Sequence, residues 1–76
     1  MEMALNMVEV FKTNVRHKRQ ARRLLDILSV QFPLFNINFD LEDCDKVLRV
    51  EGDDFQPGKI MMLVNENGFQ CQVMED

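Results

Sequence analysis

Residues 35–41 read Phe-Asn-Ile-Asn-Phe-Asp-Leu, a strict alternation of apolar and polar side chains, and no other stretch of the chain constrains the fold as tightly. Successive side chains of an extended backbone point to opposite faces, so Phe35, Ile37, Phe39 and Leu41 share one face while Asn36, Asn38 and Asp40 share the other. A helix would scatter the same residues around its circumference. The stretch is therefore a strand with one buried and one solvated face, the pattern of an antiparallel sheet covered on one side only.

The flanking segments extend this reading. Glu42-Asp43-Cys44-Asp45 is a turn cluster, and Lys46 to Glu51 resumes alternation with Leu48 and Val50 inward, so 35–51 is expected to be a hairpin ended by Gly52. Upstream, residues 5–12 (LNMVEVFK) are expected to form a first strand with Val8 and Val10 on one face and Glu9 on the other, and Phe11 breaks the alternation, which leaves the register at the end of the strand open. Between these strands, His17, Ala21, Leu24, Leu25, Leu28 and Phe32 fall on one helical stripe with Arg19, Arg23 and Asp26 opposite. Pro33 stops that helix near Gln31 or Phe32. Asp53 or Asp54 is expected to cap a second helix, with Pro57 in its first turn, Ile60, Leu63 and Val64 as its apolar stripe and Asn67-Gly68 as its stop. Phe69, Cys71 and Val73 then alternate with Gln70 and Gln72 in a last strand.

The order is β-α-β-β-α-β. Each strand has one apolar face and each helix one apolar stripe, so two helices laid on one face of a four-stranded antiparallel sheet bury every stripe at once. The predicted fold is thus an α+β, ferredoxin-like βαββαβ sandwich, and the 76 residues make one domain, 1–76. A chain of this length buries only about 60% of its unfolded surface, so its core has little to spare. In this arrangement the first strand-to-helix loop, the hairpin turn at 42–45 and the Asn67-Gly68 loop meet at one end of the sheet.

Composition narrows the function classes. With 46% hydrophobic and 29% charged residues the chain is expected to fold, and no segment approaches a membrane span. The opening MEMALNMVEV lacks a basic, then apolar, signal-peptide pattern, which predicts a cytoplasmic location and no membrane partner. Cys44 and Cys71 lack CxxC spacing and are expected to be free thiols, Cys71 as a small core residue. The net charge of −4 is unevenly spread: residues 12–23 carry six cations and no acid, whereas from Asp40 onward ten acids face three bases.

The stretches "NFDLEDCDKVLRVEG" and "QPGKIMMLVNENGFQCQV" together resemble the second half of the heavy-metal-associated, copper-chaperone-like domain family, which runs strand, turn, strand, Gly, a Pro-x-x-Ile helix and Glu-x-Gly-aromatic into the last strand. The resemblance covers about residues 7–74 and implies the same fold. In that family the first loop carries Met-x-Cys-x-x-Cys, whose thiolates hold a soft cation. Matched on Ala21, Leu24 and Leu28, the methionine position falls at Val15 and the two cysteine positions at His17 and Gln20. Both sulfurs are missing, and a glutamine cannot replace a thiolate for a soft ion. The chain therefore reads as a degenerate member with no cofactor.

The candidate site is the segment TNVRHKRQ, residues 13–20. Arg16, Lys18 and Arg19, with Arg23 one turn later, crowd a helix N-terminus whose dipole already favours anions, so a counter-charge is required. It is either internal, from Glu42, Asp43 and Asp45 at the same end, or external, from a small anion or an acidic protein partner. His17, on the helix stripe, is expected to stand partly shielded at the top of the core. An alternative is soft-metal binding of Cu or Zn through His17 with a cysteine thiolate, Cys44 being the candidate, although the two strands concerned should lie roughly 10 Å apart. Nucleic acid is disfavoured because the open sheet face offers Asn36, Asn38, Asp40, Arg49, Glu51, Gln70 and Gln72 rather than stacking aromatics. No glycine occurs in residues 13–20 to form an anion-activating loop and Asp53-Asp54 suits a cap, so no enzyme activity is expected. Val47, Met62, Val30 and, if Val8 and Val10 face inward, Phe11 are surface apolar candidates. Finally, the lightly charged edge strand 35–41 is open to pairing with its copy in a second chain.

Overall fold

The computed structural model describes residues 6–74, so Leu5 of the expected first strand, the start of the MEMALNMVEV opening and the ends of the expected 1–76 domain lie outside the described residues. The elements are β1 (Asn6–Thr13), α1 (Lys18–Gln31), β2 (Asn36–Asp40), β3 (Val47–Asp53), α2 (Pro57–Glu66) and β4 (Cys71–Val73). The four strands form one antiparallel sheet in the order β2-β3-β1-β4. Phe11, Thr13, Leu48, Val50 and Cys71 are buried while Val8, Lys12, Arg49 and Gln72 are exposed, so one face carries the core and the other is open. Ala21, Leu24 and Leu28 of α1 and Ile60 and Val64 of α2 complete that core, which puts both helices on the same face.

β1 settles the parity that the alternation leaves open. Phe11 lies directly opposite Leu48, and Met7, Glu9 and Thr13 share its face; Val8, 44% exposed, and Val10 point to the open side. A phenylalanine buries more area than either valine, and the register that takes Phe11 inward also brings Met7 over Gly52. Phe11 is therefore a core residue and not a surface candidate, whereas Val30 and Met62 are exposed as expected, at 79% and 60%. Phe35, Ile37, Phe39 and Leu41 keep their expected face, and all four are half-buried because β2 is an edge of the sheet.

Both helix starts also differ from expectation. α1 begins one residue late, with His17 as an extended N-cap that makes no side-chain cap bond, and His17 is exposed, not shielded. α2 takes Gln56 as its N-cap, because β3 runs through Asp53 and Asp54 adopts a left-handed φ of 44°. Its stop is as predicted. Asn67 is the C-cap, Gly68 has φ 94°, and the N–H groups of Gly68 and Phe69 bond back to Asn65 O and Val64 O at 3.0 and 3.3 Å, a Schellman closure.

Gly52 does not end β3 but sits inside it, opposite Met7. The reason is Phe35: a Cβ at residue 52 would lie 2.3 Å from the Phe35 ring. That ring is itself held, stacked on Phe32 with centroids 5.1 Å apart and tilted against Phe55 at 5.0 Å. Gly52→Ala should therefore cost about 1–3 kcal/mol by forcing this aromatic corner apart. Gly58→Ala, where a Cβ meets nothing within 4 Å, should be neutral or stabilise by up to about 1 kcal/mol. Urea unfolding of the two variants measures the difference, and equal midpoints would refute the assignment.

Candidate functional site

Three connections meet at one end of the sheet, and hydrogen bonds fasten them. The Thr13 N–H donates to Asp45 O at 3.1 Å, the Thr13 hydroxyl donates to Lys46 O, and the same hydroxyl accepts the Val15 N–H at 3.2 Å. Asn14 Oδ1 accepts the Gln70 N–H at 2.8 Å. Thr13 thus ties the loop after β1 to the hairpin turn, and Asn14 ties it to the residue preceding β4. Val15 has no exposed surface and anchors the loop in the core. These three roles were missed in the sequence, although Thr13 shares the parity of Phe11 once that residue is taken inward.

Beyond Val15 the chain emerges. Arg16, His17, Lys18 and Arg19 are all exposed, and the first turn of α1 contains no acid. Its first intrahelical bond is Ala21 N–H to His17 O at 3.0 Å, so the N–H groups of Lys18, Arg19 and Gln20 precede the helical ladder. The helix dipole and the side chains add charge of the same sign here.

The cations do not form one patch. Arg16 lines a depression of about 340 Å³ with Thr13, Asn14, Cys44 and Lys46, and none of those residues is acidic. Lys18 and Arg22 line a groove between α1 and β2 whose other wall includes Asp40 and Glu42. Arg23 lines a third hollow with Gln20, Ile27, Asn67 and Phe69. Lys18 and Arg22 thus share a groove with two acids. Lys46, which the sequence reading did not single out, joins Arg16 instead.

The acids of the turn have local duties. Asp40 Oδ1 accepts the Glu42 N–H at 3.2 Å and Asp43 Oδ1 accepts the Asp45 N–H at 2.8 Å, both two residues ahead, as Asx turns do. Lys46 follows in a left-handed conformation, φ 48°, with its Nζ donating to Leu41 O at 2.9 Å. These bonds hold the turn in shape and take up part of each carboxylate's accepting capacity.

The donor set does not fit the two-thiolate grip that the heavy-metal-associated resemblance would imply. Asp43, Cys44 and Asp45 bring their ligand atoms within 4.8 Å of one another, and His17 lies outside that cluster. Cys44 is an exposed free thiol, but Cys71 is buried on the helix-facing side of β4, where burial pushes its thiol up to about 12. Cys71 therefore packs as a core residue, away from the exposed Cys44.

Two outcomes follow for stability. Because the folded chain keeps Cys71 protonated well above the usual 9.0, the unfolded chain loses its proton first as pH rises. Stability should then be insensitive to this group below about pH 8 and fall by about 1.4 kcal/mol per pH unit between about 9 and 12. In Cys71→Ala the alkaline slope should flatten, as measured by denaturant unfolding across that range. Thr13→Val removes the hydroxyl clamp and leaves the Val15 N–H and Lys46 O without it, which should cost about 1–3 kcal/mol in the same assay.

No helix of the described residues is long and apolar enough to cross a membrane. Comparison with known proteins adds no relative: no family model, no curated protein and no solved structure matches the chain.

Proposed function

We propose that this chain is a non-catalytic binding module on a ferredoxin-like frame, one that resembles heavy-metal-associated domains but offers cations where they would offer thiolates. The frame is supported by the βαββαβ order together with the strand order β2-β3-β1-β4 and two helices on one face. The ligand is an anion, either a small oxoanion or the carboxylates of an acidic protein surface. One observation carries this reading: Arg16 and Lys46 border the same depression, one residue before the uncapped start of α1, and the nearest carboxylates at its Cys44 rim, those of Asp43 and Asp45, are not among the residues that line it. Cations at that place repel each other and the helix dipole, and a bound anion relieves both. Arg19, in the first turn of α1, is exposed as well.

Titration of the labelled protein with inorganic phosphate and, separately, with a glutamate-rich peptide tests the proposal by amide shifts. Shifts should concentrate at residues 14–20 and 44–46, and Arg16→Ala with Arg19→Ala should weaken binding at least about tenfold, the loss of one charge-assisted contact. Being exposed, the same substitutions should change stability by no more than about 0.5 kcal/mol. If they lower the melting temperature and neither anion shifts those amides, the cations serve the fold alone and the proposal fails.

A further inference from the structure

β2 is an edge of the sheet, and Asp40 at its end is the one charge along it. Native edges are blunted by lysine, proline, bulges, inward charges or brevity. Residues 35–41 contain none of the first two, pair with β3 without a bulge from Asn36 to Asp40, and direct only Phe35, Ile37, Phe39 and Leu41 toward the helices. The opposite edge differs: β4 extends only from Cys71 to Val73. All four inward residues at the β2 edge are half-buried, while Leu48 and Val50 on the neighbouring strand are fully buried, so the core is thinnest along this line. A groove between α1 and β2, walled in part by Leu25, Phe39 and Leu41, opens beside it.

The sequence of the strand also specifies what fits there. We infer that β2 pairs antiparallel with β2 of a second copy about a two-fold axis at Asn38, making one continuous eight-stranded sheet. In that register Asn38 faces the Asn38 of the other copy and Asn36 faces its Asp40, twice by symmetry. On the helix side Ile37 faces Phe39 and Phe35 faces Leu41, again twice. No like charges meet, both faces keep their polarity, and every apolar residue of the edge gains an apolar neighbour. Shifting the two-fold axis to Asp40 would set two carboxylates against each other, and shifting it to Ile37 or Phe39 leaves one end of the strand unmatched. This inference does not depend on the anion proposal, since the basic loop contributes nothing to the pairing.

Sedimentation equilibrium from micromolar to millimolar chain concentration reads the association directly. Asn38→Lys sets two ammonium groups face to face and should weaken the dimer at least about threefold, whereas Asn36→Lys places each lysine opposite an Asp40 and should tighten it by about two- to thirtyfold. Gln72→Lys, the same charge change on the other edge strand, should leave the association constant unchanged. Circular dichroism confirms that each variant is folded. A chain that stays monomeric to millimolar concentration overturns the inference, and so does a dimer that responds to Asn38→Lys no more than to Gln72→Lys. A dimer tightened by Asn36→Lys and loosened by Asn38→Lys establishes both the surface and the register.

Discussion

The contact between Phe11 and Leu48 across β1 and β3 sets the terms for the rest of the molecule. Neither side chain exposes any surface, and the two sit at the middle of the sheet with the buried stripes of both helices above them. Because side chains alternate with period two, fixing Phe11 inward fixes Thr13 inward as well. Thr13 then falls where its backbone and hydroxyl reach Asp45 and Lys46, Val15 falls into the core, and the chain has no choice but to turn outward at Arg16. The exposure of the basic segment is thus a consequence of core packing two and four residues earlier. A different parity for β1 would have buried Lys12 and released the loop.

Much of this could be read from residue order. The strict alternation at 35–41, the proline after α1 and the Asn67-Gly68 stop each have a single economical solution, and the described chain adopts it. β1 was ambiguous because Val8 and Val10 offer one apolar face and Met7 and Phe11 another. Local pattern cannot choose between them, since the choice rests on what stands across the strand, namely Leu48 and Gly52. The caps failed for a related reason. Asp53 and Asp54 have the right side chains for a helix start, but the β1–β3 ladder continues to Asp53 and uses that backbone as strand. At the site, the charge of residues 12–23 was plain, whereas the placing of Arg16, of Lys18 with Arg22, and of Arg23 beside three separate hollows depends on how the loop and the faces of α1 pack.

The two ends of the sheet are built from different chemistry. At one end, Phe32, Phe35 and Phe55 close over Gly52, a solid aromatic corner that tolerates little change in volume. At the other, connections are held by hydrogen bonds from Thr13 and Asn14, and the exposed side chains beyond them bear little on the core. Loops fastened through a few anchoring residues leave their remaining positions free to acquire new chemistry, which is how one frame comes to serve unrelated ligands.

The unequal lengths of the strand ladders carry a dynamic consequence. β1 and β3 are paired all along from Asn6 to Lys12, but β4 is joined to β1 only from Phe11 to Thr13, with one further bond from Met74 N–H to Val10 O at 2.8 Å. The carboxy-terminal strand is therefore the segment whose release disrupts the least, and it can detach as a small cooperative unit while the central seam stays shut. Such an excursion would unveil Cys71, so the rate at which a thiol reagent captures that sulfur in the native protein becomes a clock for the peeling of one strand.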